Sequence, residues 1–342
     1  MHELTPENAL AYLQATGRVT GPARVEALGG GVSNLVLRVI TEAGPFVLKQ
    51  SRPQLRTRDP WFSDLERVYR EQEVMQALAP LVPHGIVPQV LFADRPNFVF
   101  AMAHAPAEAR VWKEDLLGGH IDEKLGRRVG HILGLIHETS ALHRDRFEAF
   151  RDAHVFTQLR VDPFYRRVQE RRPEVARPLG ALIEQMLTLH QALCHGDYTP
   201  KNMLIHDGGF LLVDYETAYL GDPTMDLGLC LAHLVLKAQR LPAQSAHFLK
   251  LMRAFWTGYK AAVTFRPAGE LESRAIAHLG ACLLARIDGS SPVDYLPEED
   301  KRGAIRDLGR RILLDNIAQW SEVEALLKEK ETGEGEKKPL SS

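Results

Sequence analysis

The chain has 342 residues, 45% hydrophobic and 25% charged, a balance that excludes a fibrous or wholly disordered protein and suits a two-lobed enzyme or two ordinary domains. Forty-two Lys and Arg against 44 Asp and Glu leave a net charge of -2, so no global field draws in nucleic acid or anionic lipid, and any anion must be bound locally. The three cysteines, Cys194, Cys230 and Cys282, lie in apolar runs and read as buried thiols rather than a disulfide framework. The first residues carry no signal-peptide pattern and no apolar run approaches the roughly 18 residues of a membrane span; a cytoplasmic protein is expected.

In chain order, Thr5 and Pro6 open a short helix with an apolar stripe through Leu10 and Leu13, stopped by Gly17. From Ala23 to Gln50 the phrases ARVEAL, VSNLVLRVI and PFVLKQ, joined by GGG and EAG, read as three antiparallel strands. A helix is expected from about Trp61 to Leu78, then strands in PQVLFA and NFVFAM. Beyond residue 103 helices dominate, over 114–142, 173–190, 226–239, 244–262, 270–286 and 298–327. Between them MLIH and FLLVD flank His206-Asp207-Gly208-Gly209 as a hairpin. KEKETGEGEKKPLSS is too polar to pack and is expected to be a disordered tail, residues 328–342.

The strongest chemical signal is His195-Gly196-Asp197-Tyr198-Thr199-Pro200-Lys201-Asn202, followed by LLVD ending at Asp214 and then Glu216. Phosphoryl transfer explains why these residue types belong together. It needs a magnesium ion held by hard oxygen ligands and a carboxylate that orients the attacking hydroxyl, and Asp197, Asn202 and Asp214 supply that set. Upstream, Gly29-Gly30-Gly31-Val32-Ser33-Asn34 lets backbone N–H groups approach phosphate oxygens. Lys49, in an apolar strand, needs both phosphates and a carboxylate, and Glu71 on the following helix is the candidate, with Glu66 and Glu73 behind it. Cys194 and His195 do not read as a nucleophilic dyad, because adjacent residues of an extended segment point to opposite sides.

HGDYTPKNML, LLVDYETAYLGDPTMDLG and YREQEVMQAL, in their chain context, resemble the aminoglycoside phosphotransferase and choline kinase superfamily, over about Ala27 to Trp256. The resemblance implies an α+β, two-lobed, protein-kinase-like fold: an antiparallel-sheet nucleotide lobe over 1–103 and a mainly helical catalytic and acceptor-binding lobe over 104–327. It implies an ATP- and Mg2+-dependent kinase with Asp197 as catalytic base, Asn202 and Asp214 as metal ligands, and Lys49, paired with Glu71, on the phosphates. Gly30, Gly31, Ser33 and Asn34 would cover the phosphates, Ala101, Met102 and Ala103 would meet adenine, and Asp226 would brace the catalytic loop. FVLKQSRP, Trp61, ARIDG and the Asp214-x-Glu216 pair are similar to the 5-methylthioribose kinase family, which makes Glu216 a further candidate metal ligand, whereas Pro200 and Asn202 follow the broader superfamily.

The expected partner is a small-molecule hydroxyl acceptor such as a sugar, amino alcohol or aminoglycoside, with no nucleic acid and no membrane, in a monomer or homodimer. The competing class is a non-catalytic nucleotide-binding module, which usually loses a base or metal residue; none is missing here. Arg286, after the apolar ACLLA, is a candidate for the acceptor side.

Overall fold

The computed structural model describes residues 2–29, 33–56 and 61–333; Gly30 and Gly31 lie outside the described residues. Five antiparallel strands come first: β1 (Ala23–Ala27), β2 (Asn34–Thr41), β3 (Gly44–Ser51), β4 (Val90–Asp94) and β5 (Val99–Ala103), in the order β1-β2-β3-β5-β4. Strand alternation sorts their side chains onto two faces. Leu35, Leu37, Val39, Leu48, Val99 and Ala101 pack with Leu4, Leu13 and Val19, where the short helix α1 (Ala9–Ala15) lies. Val47, Phe100 and Met102 turn the other way, toward the core that holds Val68, Met75 and Leu78 of α2 (Arg67–Leu78). Lys49, two residues beyond Val47, must fall on the α2 face.

Helix α2 starts at Arg67 rather than near Trp61. The Leu55 N–H donates to Trp61 O at 2.8 Å and Gln54 bridges Phe62, so the preceding segment folds back toward the end of β3 and cannot join the helix.

The rest is mainly helical: α3 (Trp112–Leu117), α4 (Glu123–Leu142), α5 (His154–Phe156), a π-helical stretch over Thr157–Arg166, α6 (Arg167–Arg171), α7 (Ala176–Thr188), α8 (Thr224–Arg240), α9 (Ser245–Lys260), α10 (Ala268–Asp288), α11 (Glu299–Leu314) and α12 (Trp320–Gly333). Two helices expected to be continuous are broken. The first parts at Gly118-Gly119, where Gly119 has φ +82°, and the last at Asn316, φ +53°, because left-handed backbone ends a right-handed helix. Helix α12 reaches Gly333, so residues 328–333, expected in the tail, are helical. No helix among the described residues is long and apolar enough to cross a membrane.

Helices α4 and α9 approach closely because Gly126, Gly130 and Gly134 recur every fourth residue and form one stripe on α4. A methyl at Gly130 would stand 1.9 Å from Phe255 O, backbone that cannot yield without moving α9. Gly130→Ala is therefore expected to destabilise the protein by at least ~1–3 kcal/mol, measured by urea denaturation; an unchanged midpoint would show that the two helices can part freely.

Two small sheets hold the segments between α7 and α8. The strands β8 (Met203–His206) and β9 (Gly209–Leu212) form the expected hairpin around Asp207-Gly208, with β6 (Arg110–Val111) beside β8. Strand β7 (Ala192–Cys194) pairs with β10 (Tyr219–Gly221). Residues 195–202 and 213–218 are thereby the loops that these strands deliver side by side.

Candidate active site

Lys49 reaches across from the sheet. Its Nζ lies 2.6 Å from Glu71 Oε2 of α2 and donates to Asp214 Oδ1 at 2.7 Å, with Lys49 5% and Glu71 0% exposed. The Glu71 contact is a close ion pair without hydrogen-bond geometry, and neither Glu71 oxygen has a hydrogen bond among the described residues. Burial alone would strip the charge from Lys49, but Asp214 and Glu71 outweigh it and hold the ammonium well above its ordinary pKa. Burial pushes the Glu71 carboxyl above its usual range against the pull of Lys49. Of the other acids considered for Lys49, Glu73 pairs with Arg95 near the surface.

Asp197 sits in the loop after β7, 5% exposed. Its Oδ2 accepts from Asn202 Nδ2 at 2.9 Å and pairs with Arg160 Nη2 at 2.9 Å and Lys201 Nζ at 2.8 Å. Burial would raise its pKa; Arg160 and Lys201 prevail and keep the carboxyl ionised, well below the usual range. Asp214 is likewise lowered, burial again being outweighed, here by Lys49 and Lys201.

The loop is held by its backbone. Asp226, at the start of α8, accepts from His195 N at 2.6 Å and Gly196 N at 2.9 Å. His195 donates from Nε2 to Val213 O at 3.2 Å and accepts at Nδ1 from Asp197 N at 3.2 Å, a tautomer that makes it a brace between the two loops and not a base. Burial lowers its pKa and keeps the ring neutral. Gly196 has φ +76°, and a Cβ there would meet Thr217 O at 2.5 Å, so only glycine fits before Asp197. Asp214 also has φ +74°, a left-handed conformation that the surrounding bonds impose.

Glu216 joins the glycine loop to the helical part. Its carboxylate accepts from Ser33 Oγ at 2.6 Å, Asn34 Nδ2 at 2.7 Å and Arg67 Nε at 3.1 Å. Ala101 and Met102 lie buried in β5 between β3 and β4, and the Ala103 N–H donates to Gln89 O at 2.8 Å.

The structure thus brings Lys49, Glu71, Asp214, Asp197 and Asn202 into one connected set, with Ser33, Asn34 and Glu216 beside it. Sequence reasoning missed Arg67 and Arg160. Arg67 had a usable signal, since it stands four residues before Glu71 and so on the same helical face. Arg160 had none: it lies in the π-helical stretch, which Pro163 interrupts.

Metal chemistry can be tested against the donor atoms. Asn202 gives its amide nitrogen to Asp197 and keeps Oδ1, Asp214 gives Oδ1 to Lys49 and keeps Oδ2, and the Val213 N–H donates to Asn202 O at 3.0 Å, tying the two together. Two hard oxygens fit a small divalent cation that takes its remaining ligands from phosphates and water. Among the described residues no group of three or more His, Cys, Asp or Glu could hold a metal without such help.

An antiparallel sheet with a lysine paired to a helical glutamate, facing a helical lobe whose loops carry aspartate, asparagine and a second aspartate, defines a kinase-like phosphotransferase. The chain belongs to the phosphotransferase enzyme family (APH), whose model matches residues 24–262, and it is a small-molecule phosphotransferase of that family. It is 23% identical over 320 aligned residues to the methylthioribose kinase of Pectobacterium atrosepticum, covering 82% of this chain and 80% of that one. Its fold is similar to that of the Plasmodium vivax ethanolamine kinase, at TM-score 0.57 and 11% identity over 90% of this chain and 89% of that one. It is also similar to amicoumacin kinase hAmiN, solved with AMP-PNP, Ca2+ and Ami, at TM-score 0.52 and 14% identity over 88% and 91% of the two chains.

Proposed function

We propose that this protein transfers the γ-phosphate of ATP, bound with Mg2+, to a hydroxyl of a small molecule. The observation that carries the reading is the convergence of Asp197 and Asn202 with the Lys49–Asp214 pair. Nucleotide binding falls to residues 1–103, with Gly30, Gly31, Ser33 and Asn34 over the phosphates and Ala101, Met102 and Ala103 at the adenine; catalysis and the acceptor fall to residues 104–327. A cytoplasmic location fits the buried free thiols.

Lys49, kept charged by Asp214 and Glu71, neutralises phosphate oxygens. Asn202 and Asp214 would hold a magnesium ion, which would supply charge stabilisation to the phosphates. Glu216 is a further candidate ligand: its Oε1 accepts one hydrogen bond, from Ser33, and keeps a lone pair, whereas Oε2 is taken by Asn34 and Arg67. Asp197 orients the acceptor hydroxyl. With Arg160 and Lys201 depressing its basicity, it takes the proton late, once the new oxygen–phosphorus bond has largely formed and the bond to the leaving ADP is breaking.

The test is ATP turnover with Mg2+ across sugars, amino alcohols and aminoglycosides, read as acceptor-dependent ADP release and as phosphorylated product by mass. At least one acceptor class is expected to give both. Tight nucleotide binding with no transfer to any of them would favour a nucleotide-binding module.

A further inference from the structure

The helical lobe holds a buried lysine with no carboxylate at ion-pair distance among the described residues. Lys237 on α8 is 0% exposed. Among the described residues its Nζ donates only to His233 O, at 3.3 Å, and it sits 5.1 Å from the centre of the Tyr295 ring. Lys113 Nζ approaches the same ring at 5.9 Å. Arg286 on α10 lies over Phe164 at 5.5 Å, and its buried Nε has no hydrogen-bond partner, nor has the buried Tyr295 hydroxyl. Among the described residues neither Lys237 nor Arg286 has a carboxylate at ion-pair distance, and Lys113 has only Glu114, at 3.7 Å. The acids that act on the cluster from its rim, Glu114 and Asp294, are exposed.

This cluster adjoins the catalytic loop. The charges of Lys237 and Arg286 act on the His233 imidazole together with those of Asp197 and Lys201. Arg286 also feels Asp197 and Arg160. Burying the Lys237 ammonium, with the half-buried Arg286 guanidinium adding to the local positive charge, is unfavourable unless an anion arrives to pair with it. Burial, with Lys113 and Arg286 adding to it, lowers the Lys237 pKa to about 7.

We propose that Lys237, Arg286 and Tyr295 form the far end of the acceptor site and receive an acidic group, so that the acceptor is a small hydroxyl compound bearing a carboxylate or a phosphate. The inference rests on the kinase reading for the role of Asp197 at the other end. A guanidinium matches either anion with paired N–H donors, and the ammonium and phenol add a charge and a further hydrogen bond. A polycationic acceptor would be repelled here, and a neutral one would leave both cations unmatched.

The experiment uses the full chain saturated with a non-hydrolysable ATP analogue and Mg2+, titrated by calorimetry with inorganic phosphate and, separately, acetate. One of the two anions is expected to bind, and which one does separates a phosphate-bearing from a carboxylate-bearing acceptor. Lys237→Met and Arg286→Met should each weaken that anion by about tenfold or more.

Stability supplies the control. The folded pKa of Lys237 lies below its unfolded value of about 10.4, so the unfolded chain keeps a proton that the folded one gives up. The resulting penalty grows as pH falls toward about 7 and is complete below it. Lys237→Met should therefore melt higher than wild type, by more at pH 6 than at pH 9, while binding the anion worse; a lysine that only packs would not separate the two effects. If wild type takes up neither anion, or if both variants bind as wild type does, the proposal is overturned. Anion binding without acceptor-dependent transfer would instead overturn the kinase reading and leave the anion site standing.

Discussion

Asp197→Asn is expected to lower kcat at least about a hundredfold while nucleotide affinity stays near that of wild type. The substitution keeps an oxygen for Asn202 Nδ2 and a side chain of the same shape, but removes the charge that Arg160 and Lys201 hold ionised. Among the described residues assigned to the phosphates, none of Ser33, Asn34 and Lys49 bonds to Asp197, so ADP titration should report an intact nucleotide site. Single-turnover transfer to whichever acceptor the panel identifies is the decisive measurement. Wild-type rates in this variant would remove Asp197 from the chemistry and return the loop to a structural role.

The second large effect is expected at Arg67. Its guanidinium is fully buried and joins four segments of chain: it donates to Glu216 Oε2 at 3.1 Å, Asp64 O at 2.7 Å, Ser63 O at 3.2 Å and Arg52 O at 2.8 Å, and also to Ser33 O. Removing one partner of a buried ion pair strands the other, so Arg67→Met is expected to cost about 3–5 kcal/mol in urea denaturation. It should also weaken nucleotide binding, because Ser33 and Asn34 lose the frame that Arg67 and Glu216 provide. Adding Glu216→Gln removes the stranded charge, and the double variant should be more stable than the sum of the two single losses allows. Simple additivity would mean that the two side chains do not act as a unit.

The two predictions differ in how far sequence alone reaches. Asp197, Asn202 and Asp214 were legible because phosphoryl transfer demands those groups on a loop and at a strand end, and the spacing sits inside one short stretch of chain. Lys49 and Glu71 were legible for a related reason: a lysine in an apolar strand needs a carboxylate, and the next helix offered one. The five strands and the hairpin around Asp207-Gly208 followed from period-two patterning and turn chemistry, which are local properties.

What the tertiary structure decided was mostly where long-range partners meet. Sequence offered Glu216 as a further candidate metal ligand, and folding sets it 2.6 Å from Ser33 Oγ and within bonding distance of Arg67, partners 183 and 149 positions away in the chain that residue type did not reveal. Helix breaks at Gly119 and Asn316 escaped periodicity, because an apolar stripe can continue across a left-handed residue that the backbone cannot.

The sequence by itself determined the reaction class, the candidate residues Asp197, Asn202, Asp214, Lys49 and Glu71 that the fold brings together, and the sheet-then-helix order, since each depends on residue type and short spacing. Only the tertiary structure decided that Arg160 presses on Asp197 and that Lys237, buried, and Arg286, half-buried, have no carboxylate at ion-pair distance among the described residues. A charge's partner is set by packing of segments far apart in the chain, and residue type records only that some partner is needed.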